Sequence, residues 1–253
     1  MMDIHIITIF QEFFEDSIDF GIFKIARDKA IVNFHIHNLR DFTLDKHKTT
    51  DDTTYGGGAG MVMKIEPLHK SLQYVENNYG TSYKILITPQ GEILNQNIAS
   101  FLSKKESITL IPAHYEGVDE RINNYVDMEL SIGDYILSGG EIPALVIMDA
   151  TIRLIEGVLG NNASLEEESF SRSLLEYPQY TKPKDYQGES VPEILRNGNH
   201  ELIRKWRLKE SLKRTLIKRP DLLIGRVFTK EEKASLEEIK REIEETFRNI
   251  EKR

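Results

Sequence analysis

Residues 125–158 read YVDMELSIGDYILSGGEIPALVIMDATIRLIEGV, and this stretch decides the fold class. Tyr125–Ile132 is rich in β-branched and aromatic residues, which predicts a strand. Pro143 opens a second segment, Ala144–Val158, that is apolar on nearly all sides, and such a segment is typical of a helix buried in a core or an interface. The stretch therefore predicts a strand, a glycine-bearing loop and a buried helix in succession.

The same alternation of strand and helix signals extends over the first 160 residues. A helix is predicted from Pro67 to a stop at Gly80, and another over Gln96–Lys104, from apolar residues at helical spacing. Strands alternating with helices predict an α/β fold whose sheet is mainly parallel and flanked by helices. The further predicted strands are Asp3–Phe10, Ala30–His37, Tyr83–Thr88 and Ser107–Pro112.

The last third of the chain has a different pattern. Gly160–Phe170 is polar and acidic, which favours a linker, and strand signals end there. Helices are predicted over Glu193–Arg219 and Thr229–Arg253, the second opening with Thr229 and Glu232 at capping-box spacing. We expect an α/β domain over 1–160, a linker over 161–175 and a small all-helical domain over 176–253.

Composition excludes several classes of site. The 253 residues include no cysteine, so disulfides, thiolate metal sites and a cysteine nucleophile are excluded, and the histidines show no metal-ligand spacing, so no metal site is predicted. The first residues lack the features of a secretory signal, and the apolar stretch Ile142–Ala150 is too short to span a bilayer. We expect a cytoplasmic protein with no membrane association.

The charge is unevenly distributed. The net charge is −8, but Arg196–Arg219 holds nine Lys/Arg against two Glu. Phosphate binding depends on such a local patch rather than on the whole-chain sum. Together with His200 and Trp206, this run has the composition of an RNA-binding surface. The alternatives are a solvated helix face and, for Trp206, a core anchor of the helical domain.

Glycine-bearing loops follow three of the predicted strands. They are Thr88–Gly91, Pro112–Arg121 and Ser131–Gly140, and ligands gather at the carboxyl ends of strands in open α/β sheets. A further segment, Tyr55-Gly-Gly-Gly-Ala-Gly-Met61, lacks the lysine of a P-loop and the third glycine of a dinucleotide fingerprint. We expect the three loops to converge on one ligand site, and a plain flexible turn is the alternative for the glycine-rich segment.

These segments, in this order, resemble the bacterial tRNA (guanine-N1)-methyltransferase family, a branch of the trefoil-knotted SPOUT methyltransferases. The resemblance extends from Ile4 to about Leu223. The motifs that carry it are YGGGAGM (55–61), YEGVDER (115–121), SIGDYILSGGEIP (131–143), PQYTKP (178–183), GNH (198–200), WR (206–207) and RPDLL (219–223).

The resemblance implies a trefoil-knotted sheet, a homodimer with active sites at the subunit interface, S-adenosylmethionine as cofactor, and the anticodon stem-loop of tRNA as substrate. It assigns cofactor contacts to Pro89, Ala113, Tyr115, Glu116, Gly117, Ile132, Gly133, Asp134, Tyr135, Ile136, Leu137, Gly139, Gly140 and Pro143. By the same motifs, the candidate substrate contacts are Tyr55, Gly58, His200, Trp206 and Arg207. Arg214 of the basic run is a further candidate.

The implied reaction is methylation of N1 of the guanosine on the 3′ side of the anticodon, position 37. The family's catalytic acid matches Glu168, which would accept the N1 proton, and its arginine matches Arg153, which would stabilise charge on O6. The alternative for Arg153 is a structural role, in which its guanidinium reaches solvent from the end of the apolar helix.

Three positions depart from the family pattern. Glu168 stands where Asp is usual, Ala113-His114 where Gly-Arg is common, and Thr54 where proline usually precedes the glycine-rich segment. The alternatives to the implied reaction are a SPOUT methyltransferase with another target, such as a ribose hydroxyl, and a non-catalytic RNA-binding relative. A third alternative is a nucleotide-binding enzyme that uses the glycine-rich segment, but the absence of the P-loop lysine argues against it.

Overall fold

A computed structural model describes residues 1–58, 60–160, 168–170 and 173–251. Contacts divide the chain into two compact units, Met1–Asn162 and Ala163–Arg253. The predicted linker, 161–175, lies partly outside the described residues, as do Glu166 and Glu167 within it.

The N-terminal unit contains seven described strands: β1 Met2–Thr8, β2 Val32–Asn38, β3 Asp51–Thr53, β4 Met61–Met63, β5 Tyr83–Ile93, β6 Ser107–Pro112 and β7 Met128–Ser131. Five of them form a parallel sheet with the strand order β2-β1-β6-β5-β7. The other two, β3 and β4, form a separate antiparallel pair that carries the glycine-rich segment at its turn.

Helices cover both faces of this sheet. Successive side chains of a strand point to opposite faces, so each buried strand contributes to a core on either side. Ile85 and Ile87 of β5 lie in one hydrophobic core, whereas Leu86 between them lies in the other. The helices are α1 Gln11–Ser17, α2 Gly21–Asp28, α3 Ile65–Tyr79, α4 Gln96–Leu102 and α5 Glu141–Ile152. Leu68 and Leu72 of α3 pack in the second core, and Ile147 and Met148 of α5 in the first. The predicted α/β class with a mainly parallel sheet is confirmed.

Several predicted bounds were wrong for identifiable reasons. The strand predicted over Tyr125–Ile132 is only β7, because a 3-10 turn occupies Glu120–Tyr125. The buried helix begins at Glu141, before Pro143, and ends at Ile152. The strand predicted to end at Thr88 continues to Ile93 with a register shift between Ile87 and Glu92. Helices α1 and α2 have seven and eight residues, too short for a clear periodic signal.

The C-terminal unit is helical, as predicted, with a short hairpin in addition. The hairpin consists of β8 Asp185–Tyr186 and β9 Glu189–Ser190. The helix predicted over Glu193–Arg219 is divided, because Gly198 has φ +73° and the Asn199 side chain caps a new helix, α6 His200–Lys218. Leu212 of α6 and Ile239 of the last helix, α7 Lys230–Glu251, share a small core.

The capping box predicted before α7 is confirmed. The backbone N–H of Thr229 donates to Glu232 Oε2 at 2.8 Å, and the N–H of Glu232 donates to Thr229 Oγ1 at 3.2 Å. Arg226 also donates to Glu232 at 2.6 Å. Although burial of Glu232 opposes its charge, these partners hold the pKa of its carboxyl below the ordinary value.

Candidate active site

A cavity of about 570 Å³ lies beside the irregular middle part of β5 and the carboxyl ends of β6 and β7. Three segments line it together: Thr88–Gln90, which lie within the register shift of β5, Ala113–Val118 after β6, and Ser131–Gly133 with Tyr135–Gly140 at and after the end of β7. Pro143 of α5 and the apolar side chains of Leu86 and Ile87 complete the wall. Residues of the three predicted segments therefore meet at one cavity, as expected, but the prediction that Thr88–Gly91 is a loop after a strand was wrong, because these residues lie within β5 and Gly91 does not line the cavity.

Backbone hydrogen bonds join the loops to one another. The N–H of Gly140 donates to the carbonyl of Ala113 at 2.7 Å, and the N–H of Ala113 donates to the carbonyl of Ile87 at 3.3 Å. Gly140 permits this close approach, since a Cβ there would lie 2.7 Å from the backbone nitrogen of Ala113 and 2.8 Å from the Cα of Pro112. The shape of the cavity is thus fixed by main-chain contacts.

The glycine-rich segment is held beside the same loops. Within the β3–β4 hairpin, Met61 accepts a hydrogen bond from the N–H of Glu116 at 3.0 Å, and Met63 bonds with the backbone of Gly117 and Asp119 at 3.0 Å. A Cβ on Gly60 would collide with the Glu116 side chain. Tyr55 is fully exposed at the turn, and Ala59 lies outside the described residues. The segment is therefore a hairpin turn whose second strand is bonded to the loop after β6.

Tyr115 has a constrained backbone and a constrained hydroxyl. Its φ of +58° lies in the left-handed region, which a residue of this size adopts only where its surroundings require it. Burial and the neighbouring Asp51 carboxylate both raise the pKa of its hydroxyl. Tyr115 thus connects the loop after β6 to the start of β3.

The charged side chains around the cavity are mostly acidic. Glu116, Glu120 and Glu129 line it, and His114 is the one residue among those described along its wall that can carry a positive charge. The carboxylate of Glu141, in the first turn of α5, lies 3.5 Å from His114 Nδ1. His114 was noted only as a departure from the family pattern and not predicted as a site residue, because no periodicity marks it and its meeting with Glu141 depends on tertiary packing.

The predicted cofactor residues occupy one place in the fold. All of them except Asp134 line the cavity, and Asp134 is an exposed residue of the loop after β7. Thr88, Gln90 and Ser138, which lie in the predicted ligand segments but were not named individually, also line it. Asn123 lines it as well and was missed, since it lies outside those segments and has no distinctive spacing.

Comparison with known proteins agrees with this geometry. The family model for tRNA (guanine-1)-methyltransferases, TrmD, matches residues 2–225. This chain belongs to that family. It is 54% identical to the tRNA (guanine-N(1)-)-methyltransferase of Dictyoglomus turgidum, an alignment that covers 97% of this chain and 99% of the relative. It is 52% identical to the enzyme of Carboxydothermus hydrogenoformans over 93% of this chain and 92% of the relative.

A solved structure of the family has the same fold. The crystal structure of tRNA (m1G37) methyltransferase from Aquifex aeolicus superposes with a TM-score of 0.72 at 42% sequence identity. The match covers 88% of this chain and 94% of that chain.

The two residues predicted to be catalytic lie in different units. Arg153 is half-buried at the C-terminal end of α5, where its backbone N–H donates to Asp149 at 3.2 Å. Glu168, in the C-terminal unit, is also half-buried. Its neighbours are fixed within that unit, because Ser169 Oγ accepts a hydrogen bond from the N–H of Glu176 at 3.0 Å and Phe170 donates to Leu174 at 2.8 Å.

The predicted substrate residues of the C-terminal unit all lie on α6. His200 is exposed at its first position, Trp206 and Arg214 are half-buried, and the Arg207 guanidinium lies 4.6 Å from the centroid of the Tyr177 ring. Tyr55 and Gly58 lie in the other unit, on the β3–β4 turn.

Many basic residues of the run Arg196–Arg219 form ion pairs with acidic side chains. Arg204 pairs with Glu231 and Lys209 with Glu238, both at 2.6 Å, so two of these bonds connect α6 to α7. The nearby Glu238 and Glu242 carboxylates outweigh the burial of Lys209 and raise the pKa of its ammonium group. The other pairs are Lys205–Glu201, Lys213–Glu242 and Arg219–Asp221. Part of the local positive charge therefore stabilises the helical unit.

The described residues contain neither a membrane-spanning helix nor a metal-binding cluster. No helix there is long and apolar enough to cross a membrane. No cluster of three or more His, Asp or Glu side chains in the same part of the chain is arranged to hold a metal ion.

Proposed function

We propose that this protein transfers a methyl group from S-adenosylmethionine to N1 of guanosine 37, the nucleotide on the 3′ side of the anticodon of tRNA, and that it acts in the cytoplasm. The observation that carries the proposal is the convergence of two family motifs, YEGVDER (115–121) and SIGDYILSGGEIP (131–143), on one cavity at the carboxyl ends of the parallel strands β6 and β7. Membership of the family supports the reaction and its substrate.

The residues around the cavity suit this cofactor. Its volume of about 570 Å³ lies within the range typical of small-molecule sites. Apolar side chains such as Ile132, Ile136 and Leu137 offer surfaces for a purine ring, and the buried Oδ1 of Asn123 has no hydrogen-bond partner among the described residues. Glu116, Glu120 and Glu129 favour a ligand with net positive charge, which S-adenosylmethionine is.

When bound, S-adenosylmethionine supplies an electrophilic methyl group. Guanine N1 carries a proton at neutral pH and is a poor nucleophile in that form, so a base is needed. We assign this role to the carboxylate of Glu168, which accepts the N1 proton, and we assign to Arg153 the stabilisation of the negative charge that develops on O6. The loops that hold the cofactor fix the direction from which N1 is approached.

We further propose that the protein works as a homodimer in which Glu168 of one copy serves the cavity of the other. Support comes from α5, where Ile142 and Val146 lie one turn apart and are 54% and 42% exposed, and from Ile136, which is 80% exposed in the loop after β7. Exposed apolar groups beside a ligand cavity are typical of a protein–protein interface. We propose that the sheet carries the trefoil knot of this family.

We propose that α6 and the β3–β4 turn contact the anticodon stem-loop. His200, Trp206, Arg207 and Arg214 supply cations and one stacking aromatic on α6, and Tyr55 and Gly58 lie at the turn. Aromatic stacking and positive charge are the features by which proteins hold unstacked RNA bases. The target base must leave its stack to reach the methyl group.

The experiment incubates the purified protein with S-adenosylmethionine and an unmodified tRNA transcript carrying guanosine at position 37, and then identifies methylated nucleosides by mass spectrometry. A matched transcript with adenosine at that position is the control. N1-methylguanosine at position 37, absent from the control, is the expected result. A 2′-O-methylated nucleoside would move the target to a ribose, and tRNA binding without methylation would favour a non-catalytic relative.

A further inference from the structure

The turn that carries Glu168 is closed by hydrogen bonds of its own. We call its described residues, 168–170 and 173–176, the base turn. The backbone N–H of Phe170 donates to the carbonyl of Leu174 at 2.8 Å, and the N–H of Glu176 donates to Ser169 Oγ at 3.0 Å. The residue next to Glu168 is therefore bonded to the far end of the turn.

The backbone of the base turn is strained. Phe170 has φ +73° and Ser173 has φ +54°, in the left-handed region that residues with a side chain rarely adopt. Such strain persists only where the surrounding contacts require it, and it is concentrated at functional sites. One of these contacts comes from Arg219, whose guanidinium lies 5.8 Å from the centroid of the Phe170 ring. The turn therefore depends on anchors elsewhere in the C-terminal unit.

Helix α6 supplies an anchor through Thr215. The hydroxyl of Thr215 accepts a hydrogen bond from the backbone N–H of Leu175 at 2.9 Å and donates one to the carbonyl of Ser211, one turn earlier on α6, at 2.7 Å. Because its one proton is used by Ser211, the hydroxyl oxygen is left to accept from Leu175. Thr215 is completely buried, so water does not compete for either bond. The hydroxyl thus joins the base turn to the helix.

Two further contacts hold the same end of the turn. The side chain of Leu174 is buried in the small core, together with Leu212 of α6 and Ile239 of α7. Directly after the turn, the ring of Tyr177 lies 4.6 Å from the guanidinium of Arg207 on α6. Helix α6 is also the element proposed to contact the anticodon stem-loop. One helix therefore supports both the proposed RNA contacts and the segment that carries the proposed base.

We propose that Thr215 is a positioning residue for methyl transfer, whose hydroxyl holds the base turn on α6 and so fixes the place at which the Glu168 carboxylate meets the bound RNA. A base accepts a proton only within hydrogen-bond reach, so a small displacement of the carboxylate lowers the rate steeply. Thr215 is buried and acts through Glu168. The inference rests on the proposed role of Glu168 as the base.

The test removes the Thr215 hydroxyl both in the presence and in the absence of the proposed base. Single-turnover methylation of the guanosine-37 transcript is measured for wild type, Thr215→Val, Thr215→Ser, Glu168→Gln and the double variant Thr215→Val with Glu168→Gln. Thr229→Ala is the matched control, because it removes a side-chain hydrogen bond of α7 in the same unit that involves no residue of the base turn. Urea-induced unfolding followed by Trp206 fluorescence checks that each variant is folded under the assay conditions.

Thr215→Val should lower the single-turnover rate by about ten- to a hundredfold. Its affinity for S-adenosylmethionine should stay within about twofold of that of wild type, since the cavity lies in the other unit. Thr215→Ser, which keeps the hydroxyl, should retain most of the rate, and Thr229→Ala should keep the wild-type rate. Because Thr215 acts through Glu168, Thr215→Val should cause no further loss in the Glu168→Gln background.

A second variant covers the case in which Thr215→Val folds poorly. Ser169→Ala removes the acceptor of the Glu176 N–H within the turn and leaves α6 unchanged. It should reproduce the loss of rate and, like Thr215→Val, add nothing in the Glu168→Gln background.

Rates of Thr215→Val and Ser169→Ala equal to that of Thr229→Ala, or an equal loss in the wild-type and Glu168→Gln backgrounds, would overturn the inference and leave the proposed function intact. Turnover by Glu168→Gln equal to that of wild type would contradict the assignment of the base, and this inference with it. No methylation by the wild-type protein would overturn the proposed function itself.

Discussion

Acidification should destabilise the N-terminal unit at the β2 edge of its sheet, because two histidines are buried there in the neutral form. His5 of β1 is completely buried and His37 of β2 is 9% exposed. Their rings stack at 5.3 Å, and His5 Nδ1 lies 3.1 Å from His37 Nε2. Tyr79 covers both rings. Burial, together with the neighbouring His35, lowers the pKa of each from 6.5 to about 4, and His37 contributes further to the shift at His5.

The sign of the effect follows from which state binds the proton. The unfolded chain takes up a proton on each histidine as the pH falls through 6.5, whereas the folded unit takes it up only near pH 4. At pH 5 each histidine therefore lowers the free energy of unfolding by about 2 kcal/mol, and the two together by about 4 kcal/mol. Domains are stable by only about 5–15 kcal/mol, so this loss is large. The loss continues to grow as the pH falls through the folded-state pKa of about 4, and below about pH 3 these histidines cause no further loss.

Urea-induced unfolding followed by far-UV circular dichroism at pH 7.5 and pH 5 measures the loss. His37→Gln removes one of the two groups, so its loss between the two pH values should be about half that of wild type. His47→Gln, at an exposed position, should behave as wild type. An equal loss in wild type and His37→Gln, or no loss in wild type, would show that proton uptake at this pair does not control stability.

Substitutions at the proposed catalytic groups, at one cavity glycine and at one helix cap test the remaining assignments. Glu168→Gln should lower turnover by about 10²–10⁴-fold. Its affinity for S-adenosylmethionine, measured by calorimetry, should stay within about a factor of two, which is the spread expected for a surface change. Turnover equal to that of the control variant Glu189→Gln would show that Glu168 is not the base. Arg153→Ala should lower kcat at least about tenfold with little change in cofactor affinity, and an effect confined to affinity would contradict its assignment to O6. Gly140→Ala should weaken cofactor binding about tenfold or more, since its Cβ displaces the backbone at Ala113, whereas Gly160→Ala, with open space around it, should not. Thr229→Ala should lower the free energy of unfolding of the C-terminal unit by about 1 kcal/mol. Urea-induced unfolding followed by the fluorescence of Trp206, the single tryptophan, measures this loss. An unchanged urea midpoint would show that the cap contributes nothing.

The arrangement of the cavity was predictable because it follows from local patterns. The loops after β6 and β7 were recognised by strand signals followed by glycines, and parallel strands bring their carboxyl ends to one edge. Thr88–Gly91 was placed beside them correctly, although it is an irregular part of β5 rather than a loop. The continuous apolar run Ile85–Ile87 of β5, in which every side chain is buried on one face or the other, indicates helices on both faces of the sheet. These features involve residues near one another in sequence, where periodicity carries information.

The rest depends on contacts between distant residues. The glycine-rich segment is a hairpin turn bonded to residues more than fifty positions later, and nothing within the segment indicates that partner. His114 and Glu141 meet only because Gly139 and Gly140 bring two loops within bonding distance. Such pairings arise from tertiary packing, which the sequence pattern of either segment does not contain.

The basic run of α6 shows how such pairing changes a functional interpretation. Its charges suggested an RNA surface, but α7 carries eight glutamates against five Lys/Arg, and three cations of α6 pair with it. Among the described residues, no acidic side chain forms an ion pair with Arg196, Arg214 or Lys218. An ion-paired cation must give up its partner before it neutralises a phosphate, so cations without such a partner contribute more to RNA affinity. We therefore infer that these three residues, more than the sum over the run, set the electrostatic affinity of the C-terminal unit for RNA.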